Sequence, residues 1–130
     1  MHLHAALITA LNVVILFVAM GLVGRARGRF QIKAPAITGH PDFERAFRAH
    51  QNTLEQTVMF LPALWIACVY GNEQWAVWAG YAWVIGRVWY LFGYVREAGK
   101  RSNGFLIAGL AWIFIVGVAL VGVVQKFLAA

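Results

Sequence analysis

Residues 42–70 read DFERAFRAHQNTLEQTVMFLPALWIACVY. From Thr57 onward the stretch is apolar enough for a bilayer; before it, the stretch is not. Wound as a helix, it sets Glu44, Arg48, Asn52 and Glu55 at steps of four, four and three, which is one face at 3.6 residues per turn. A row of charges and an amide turned toward lipid is costly, about 2.5–3.5 kcal/mol for each ionised side chain at mid-bilayer. That face must therefore look at protein, water or a ligand, while the continuation to Tyr70 crosses the membrane.

Working outward, the composition agrees with a membrane chain. Of the 130 residues, 62% are hydrophobic and only 12% charged, with a mean hydropathy of +0.68. A soluble domain carries about a quarter charged residues. The apolar residues come in long runs: Leu3–Val23, Phe43–Tyr70, Trp75–Val95 and Leu106–Val124. Each is long enough to cross a hydrocarbon core of about 30 Å. The sequence thus predicts an all-α membrane protein, a four-transmembrane-helix bundle formed as a single domain over residues 1–130. Leu3–Val23 has neither a basic leader nor a small-residue cleavage pattern, so it reads as a retained helix and not a signal peptide. Pro62 predicts a kink in the second helix.

The connections are short. Gly24–Pro41 reads as a loop holding Arg25, Arg27, Arg29 and Lys33, and Arg96–Gly104 as a second basic loop with Lys100 and Arg101. Gly71–Gln74 reads as a tight, non-basic turn. Pro41 and Asp42 suit a helix start, with Asp42 as cap. Positive charge on the first and third connections places both on the cytoplasmic side and both termini on the other. In a bacterium this is an inner-membrane protein whose basic loops face the cytoplasm. The net charge of +6 is thereby explained without nucleic acid, since the cations flank apolar segments. The only five-residue glycine pattern, Gly24 to Gly28, falls in a basic loop and gives no helix-pairing motif.

Several chemistries are excluded or disfavoured. Cys68 is the only cysteine, so no intramolecular disulfide forms, and its apolar surroundings make it a small buried hydrophobe. The histidines at 2, 4, 40 and 50 have no metal-ligand spacing, so no metal is expected. No Ser-His-Asp set or glycine-rich phosphate loop is present. What remains is a second polar face on the third helix: Arg87, Tyr90 and Tyr94, with Arg101 seven further on. If that helix continues to Arg101, the four share an arc of roughly 60°. One reading is a buried interhelical salt bridge, Glu55 paired with Arg87 or Arg48. The other is a ligand site: arginines for carboxylates, Glu for an ammonium, Asn and Tyr for amides or a thiol. A zwitterionic, peptide-like cofactor fits that inventory.

Two patterns make the chain recognisable. E-R-x-x-x-A-x-x-N-x-x-E is met by Glu44, Arg45, Ala49, Asn52 and Glu55. R-x-x-Y-x-x-G-Y with a distal arginine is met by Arg87, Tyr90, Gly93, Tyr94 and Arg101. In these the sequence closely resembles the MAPEG family, the membrane-associated proteins of eicosanoid and glutathione metabolism, over nearly the whole chain. The resemblance implies a homotrimer with glutathione between neighbouring subunits near the basic face. It implies a glutathione transferase, with peroxidase chemistry as a further outlet, that conjugates the thiolate to lipophilic substrates arriving from the membrane lipids. On that basis Arg48, Asn52, Glu55, Tyr90 and Tyr94 hold the cofactor, Arg27, His50 and Arg87 approach it, and Arg101 with Tyr94 activates its thiol. His50 stands where relatives often carry Gln. Gln56 stands where the leukotriene-type members carry Tyr, which weakens any claim to their narrow substrate preference. Two alternatives compete: a glutathione-binding scaffold without activity, and a small multidrug transporter. The transporter is opposed by the absence of any acid from the first helix.

Overall fold

The computed structural model describes all residues from Met1 to Ala130. It contains four long helices, α1 (Leu3–Phe30), α2 (Pro41–Tyr70), α3 (Glu73–Arg96) and α4 (Ser102–Ala129), with a short 3₁₀ turn (Ala98–Arg101) between the last two. α1, α2 and the segment Ala98–Ala129 are each long and apolar enough to cross a membrane. α3 falls short of that apolarity because its Trp and Tyr residues and Arg87 dilute it. At 1.5 Å per residue its 24 residues still run about 36 Å, enough to cross beside the others.

The helix limits correct the sequence reading in four places. α1 does not stop at Val23 but continues through Arg25, Arg27 and Arg29 to Phe30, so these cations sit on helix and not in a loop. Gln31 ends it in the left-handed conformation, φ 55°, returning its N–H to the Arg27 carbonyl. The cap of α2 is His40, whose Nδ1 accepts from the Asp42 N–H at 3.1 Å; Asp42 lies in the first turn, where its charge favours the helix dipole. Only Gly71 and Asn72 form the turn before α3, with the Asn72 side chain capping Trp75 N at 3.0 Å. Finally, α3 ends at Arg96, five residues short of Arg101.

α2 runs unbroken through Pro62. A proline has no N–H to give to the carbonyl four residues back. One residue beyond that position, the Met59 carbonyl accepts from Trp112 Nε1 of α4 at 3.1 Å, tying the loosened turn to its neighbour.

Successive helices are antiparallel. His2 and His4 at the start of α1 meet Glu73 and Tyr81 near the start of α3, both at 2.9 Å. Halfway along, Asn12 meets Thr57. α3 and α4 approach closest, through glycines that the sequence pattern did not reveal because they lie on different helices. A Cβ on Gly104 would stand 2.3 Å from Tyr90 N, and one on Gly86 would stand 2.7 Å from Ala108 N. Gly24 and Gly28, by contrast, have nothing within 4 Å of a would-be Cβ. Small residues at a helix contact let backbones approach and gain dispersion, the main attraction available between helices in lipid.

The main core fills the half of the bundle away from the basic end. Ile8, Phe60, Leu64, Trp83 and Ile115 are fully buried there, with Phe60 and Trp83 stacked at 3.8 Å. A smaller cluster, Ile15, Ala19, Ala49, Tyr90, Leu91 and Tyr94, lies toward the basic end and includes nothing from α4.

Candidate functional site

The basic end collects the close of α1, the connection to α2, the first turns of α2, the end of α3 and the 3₁₀ turn, which together carry every Arg and Lys except Arg87 and Lys126. Just inside it, α2 and α3 build one connected polar cluster. Asn52 Nδ2 donates to Tyr90 Oη at 2.8 Å. The Tyr90 ring stacks on Tyr94, 5.6 Å between centroids and 9° between planes. The Arg87 guanidinium lies over the Tyr90 ring, 4.0 Å from its centroid, and donates to Thr53 Oγ1 at 2.8 Å.

Arg101 joins this cluster by a route the sequence did not give. A continued α3 would have carried it outward along the axis. Instead the chain turns at Glu97, and the 3₁₀ turn folds back until Arg101 Cζ is 5.0 Å from the Tyr94 ring. Gly93 permits the return, since a Cβ there would lie 2.5 Å from the Lys100 carbonyl. Asn52, Tyr90 and Arg101 then line a groove of about 580 Å³ with Ser102, Phe105 and Leu106. One wall is polar and cationic; the other is apolar, formed by the exposed Phe105 and Leu106. Clefts of about 700 and 760 Å³ exist at the opposite end, but no arginine lines them.

The remaining residues singled out from the sequence are placed differently. Arg48 and Glu55 share the outer face of α2 and are both exposed; Arg48 reaches only Gln51 Oε1, at 3.3 Å. The ion pairs of the chain are His2–Glu73, Arg45–Asp42 and Lys100–Glu97. Within the chain Glu55 pairs with neither Arg87 nor Arg48. His50 is half-buried and lies roughly 160° around the helix from Asn52 at 100° per residue. Arg27 faces the α1–α2 connection, donating to the carbonyls of Ile32 at 3.4 Å and Ala36 at 2.7 Å and lying over Phe43 at 4.8 Å. One chain therefore assembles Asn52, Arg87, Tyr90, Tyr94 and Arg101, and leaves Arg27, Arg48, His50 and Glu55 outside that cluster.

Thr53 escaped the sequence reading. The signal was there: Ala49, Thr53 and Thr57 follow at steps of four beside the polar stripe. All three are buried. No group of His, Cys, Asp and Glu is arranged to hold a metal.

Chemically, the cluster offers guanidinium and phenol donors at the edge of a groove with aromatic and aliphatic lining. That is a setting for a bound anion meeting an apolar partner. The fold and this site define an all-helical integral membrane protein with a polar pocket at its basic end. The family model for MAPEG matches residues 5–121, and the chain belongs to the MAPEG family. It is 41% identical over 124 residues to an uncharacterized Synechocystis protein, sll1147, covering 95% of this chain and 90% of that one. It is 39% identical over 108 residues to microsomal glutathione S-transferase 2 of Homo sapiens, covering 82% and 72%. Leukotriene C4 synthase of Cavia porcellus is 35% identical over 106 residues, covering 82% and 71%.

Proposed function

We propose that the protein is a membrane-bound glutathione transferase that forms the glutathione thiolate and conjugates it to lipophilic electrophiles. The observation that carries this reading is the Asn52–Tyr90–Tyr94–Arg101 cluster, set against the apolar wall of Phe105 and Leu106 at the basic end. The names of its relatives, a glutathione transferase among them, support the choice of cofactor.

Glutathione carries two carboxylates, an ammonium and a thiol. Arginines take carboxylates bidentately, and Glu55 suits the ammonium. Within one chain, however, Arg48 and Glu55 face outward. An unpaired carboxylate there is too costly to leave against lipid. The same charges become useful if a second copy packs on that face. From the family resemblance we read the assembly as a homotrimer in which each site lies between two subunits. In this reading Arg48, Asn52, Glu55, Tyr90 and Tyr94 hold glutathione, Arg27, His50 and Arg87 approach it, and Arg101 activates its thiol. The basic end, and with it the site, faces the cytoplasm under the positive-inside rule.

The thiol has an ordinary pKa of about 8.5, so only a few per cent is thiolate at neutral pH. A guanidinium within contact range lowers such a value by about 1–3 units. Arg101 supplies that charge, and the Tyr94 hydroxyl adds a donor. The thiol proton leaves to water at the basic end. The sulfur lone pair then forms the carbon–sulfur bond while the leaving group departs with its electron pair. With a hydroperoxide as partner the same thiolate attacks the terminal oxygen, the O–O bond breaks and the alkoxide leaves to be protonated as the alcohol, and a second glutathione reduces the resulting sulfenic acid to glutathione disulfide and water.

The test is conjugation of an aryl halide with glutathione in detergent. Arg101→Ala should lower kcat about 100-fold, the size expected for losing one preorganised charge donor. Undiminished turnover would remove Arg101 from the role. Binding with no thiolate absorbance in the ultraviolet difference spectrum of the wild type would leave a scaffold and not an enzyme.

A further inference from the structure

Arg87 is 1% exposed, and no carboxylate pairs with it. A guanidinium has five N–H donors. Only one hydrogen bond to protein is made here, from Nη2 to Thr53 Oγ1 at 2.8 Å, and Nε is buried without a partner. The rest of its surroundings are aromatic: Tyr90 at 4.0 Å and Trp83 at 5.9 Å. An aromatic face attracts a cation without fixing its rotation. The orientation of this guanidinium therefore depends on one hydroxyl.

That hydroxyl is itself fixed. Thr53 is fully buried, and its only proton goes to the Ala49 carbonyl at 2.8 Å, which leaves a lone pair toward Arg87. One turn further along, Thr57 Oγ1 donates to the Thr53 carbonyl at 2.8 Å. Asn12 Nδ2, reaching from α1, donates to Thr57 Oγ1 at 3.2 Å. A helical threonine commonly bonds the carbonyl four residues back merely to satisfy itself. Thr57 does this with a neutral partner behind it. Thr53 does it with a buried cation in front.

We propose that Thr53 is a positioning residue of the glutathione site, its hydroxyl setting the buried Arg87 guanidinium against the Tyr90 ring and so fixing Tyr90 where it lines the groove. This rests on the functional reading above. It links three helices in one chain of contacts, Asn12 on α1 to Thr57 and Thr53 on α2 to Arg87 on α3. Without the Thr53 hydroxyl, Arg87 rotates against the aromatic faces, and Tyr90, which receives the Asn52 amide, loses its fixed neighbour.

The experiment uses the full chain in detergent with Thr53→Val, which keeps the shape and removes the hydroxyl, and Thr53→Ser, which keeps the hydroxyl. Two readouts are taken: the near-ultraviolet tyrosine circular dichroism without ligand, referenced to Tyr90→Phe, and the glutathione Kd by calorimetry. Thr53→Val should alter the Tyr90 band, leave the far-ultraviolet spectrum intact, and raise Kd about tenfold, in the range for losing a hydrogen bond to a charged group. Thr53→Ser should bind within about threefold of wild type, since it restores that bond. In an Arg87→Met background, Thr53→Val should change Kd no further. An unchanged Tyr90 band together with wild-type Kd in Thr53→Val overturns the proposal. So does an equal loss in the Arg87→Met background, which would mark Thr53 as merely structural. If Thr53→Val fails to fold, Thr53→Ala carries the same comparison. A wild type that does not bind glutathione at all sinks the functional reading instead, and the ligand-free tyrosine band still decides whether Thr53 positions Arg87.

Discussion

The two halves of the bundle are built on opposite terms. Away from the basic end, α1–α4 all contribute to a core of aliphatic side chains, alanines and the stacked pair Phe60–Trp83. Toward the basic end the buried cluster is smaller, comes from α1, α2 and α3 only, and is dominated by Tyr90 and Tyr94 beside a buried arginine. The first half fills space; the second holds unused donors around a groove. Stability in lipid comes chiefly from close packing and buried hydrogen bonds, because apolar surface gains little by leaving lipid for protein. The comparison teaches that packing is concentrated in one half, leaving the other free to carry polar groups that a single chain does not satisfy.

The contact that serves both halves should break both. Gly104 sits where α4 crosses α3 at Tyr90, and a Cβ would already be 2.3 Å from backbone. Gly104→Leu is expected to destabilise by about 3 kcal/mol or more. Thermal unfolding in detergent should show little folded protein, and glutathione binding should disappear with it. A stable Gly104→Leu variant would mean that α3 and α4 can separate without loss.

Phe60→Ala tests the packed half alone. Removing a fully buried, stacked ring leaves a cavity, and a loss of about 3 kcal/mol is expected. The fraction that stays folded should bind glutathione with wild-type Kd. A matching loss of affinity would show that the halves are coupled through α2.

Arg48→Ala tests the other half alone. Arg48 is exposed and holds only Gln51, so unfolding should not move. Glutathione Kd should rise about tenfold, the cost of a charge-assisted hydrogen bond. An unchanged Kd would remove α2's outer face from the site.

The smallest effect belongs to the far end. Asn72→Ala deletes the α3 cap and should cost about 1 kcal/mol in thermal unfolding with no change in turnover. A change in turnover would connect the far end to the site.

Much of this was legible before the structure. Arg87, Tyr90 and Tyr94 share one face of α3, which period alone places; that Asn52 of α2 meets Tyr90 is a contact between helices. Arg101 was found with the wrong geometry: helical spacing carries no sign of a chain that stops at Arg96 and folds back. The extension of α1 to Phe30 was missed because a run of arginines reads as a loop beside a membrane. Arg27 there is held by the carbonyls of Ile32 and Ala36, five and nine residues on, and by the Phe43 ring of α2, contacts that hydropathy does not register. The alternative reading, Glu55 paired with an arginine, failed for a related reason. Charge inventory says which groups want partners, whereas which way α2 is turned decides whether they meet.

The sequence by itself determined four apolar helices, their alternating direction, and a polar stripe that lipid would reject, since hydropathy and helical period are local properties. Only the tertiary structure decided that Gly86 and Gly104 bring α3 against α4, that a 3₁₀ turn returns Arg101 to Tyr94, and that one threonine hydroxyl holds Arg87. Each of these depends on atoms from different helices meeting within a few ångströms, and spacing along one chain does not encode that distance.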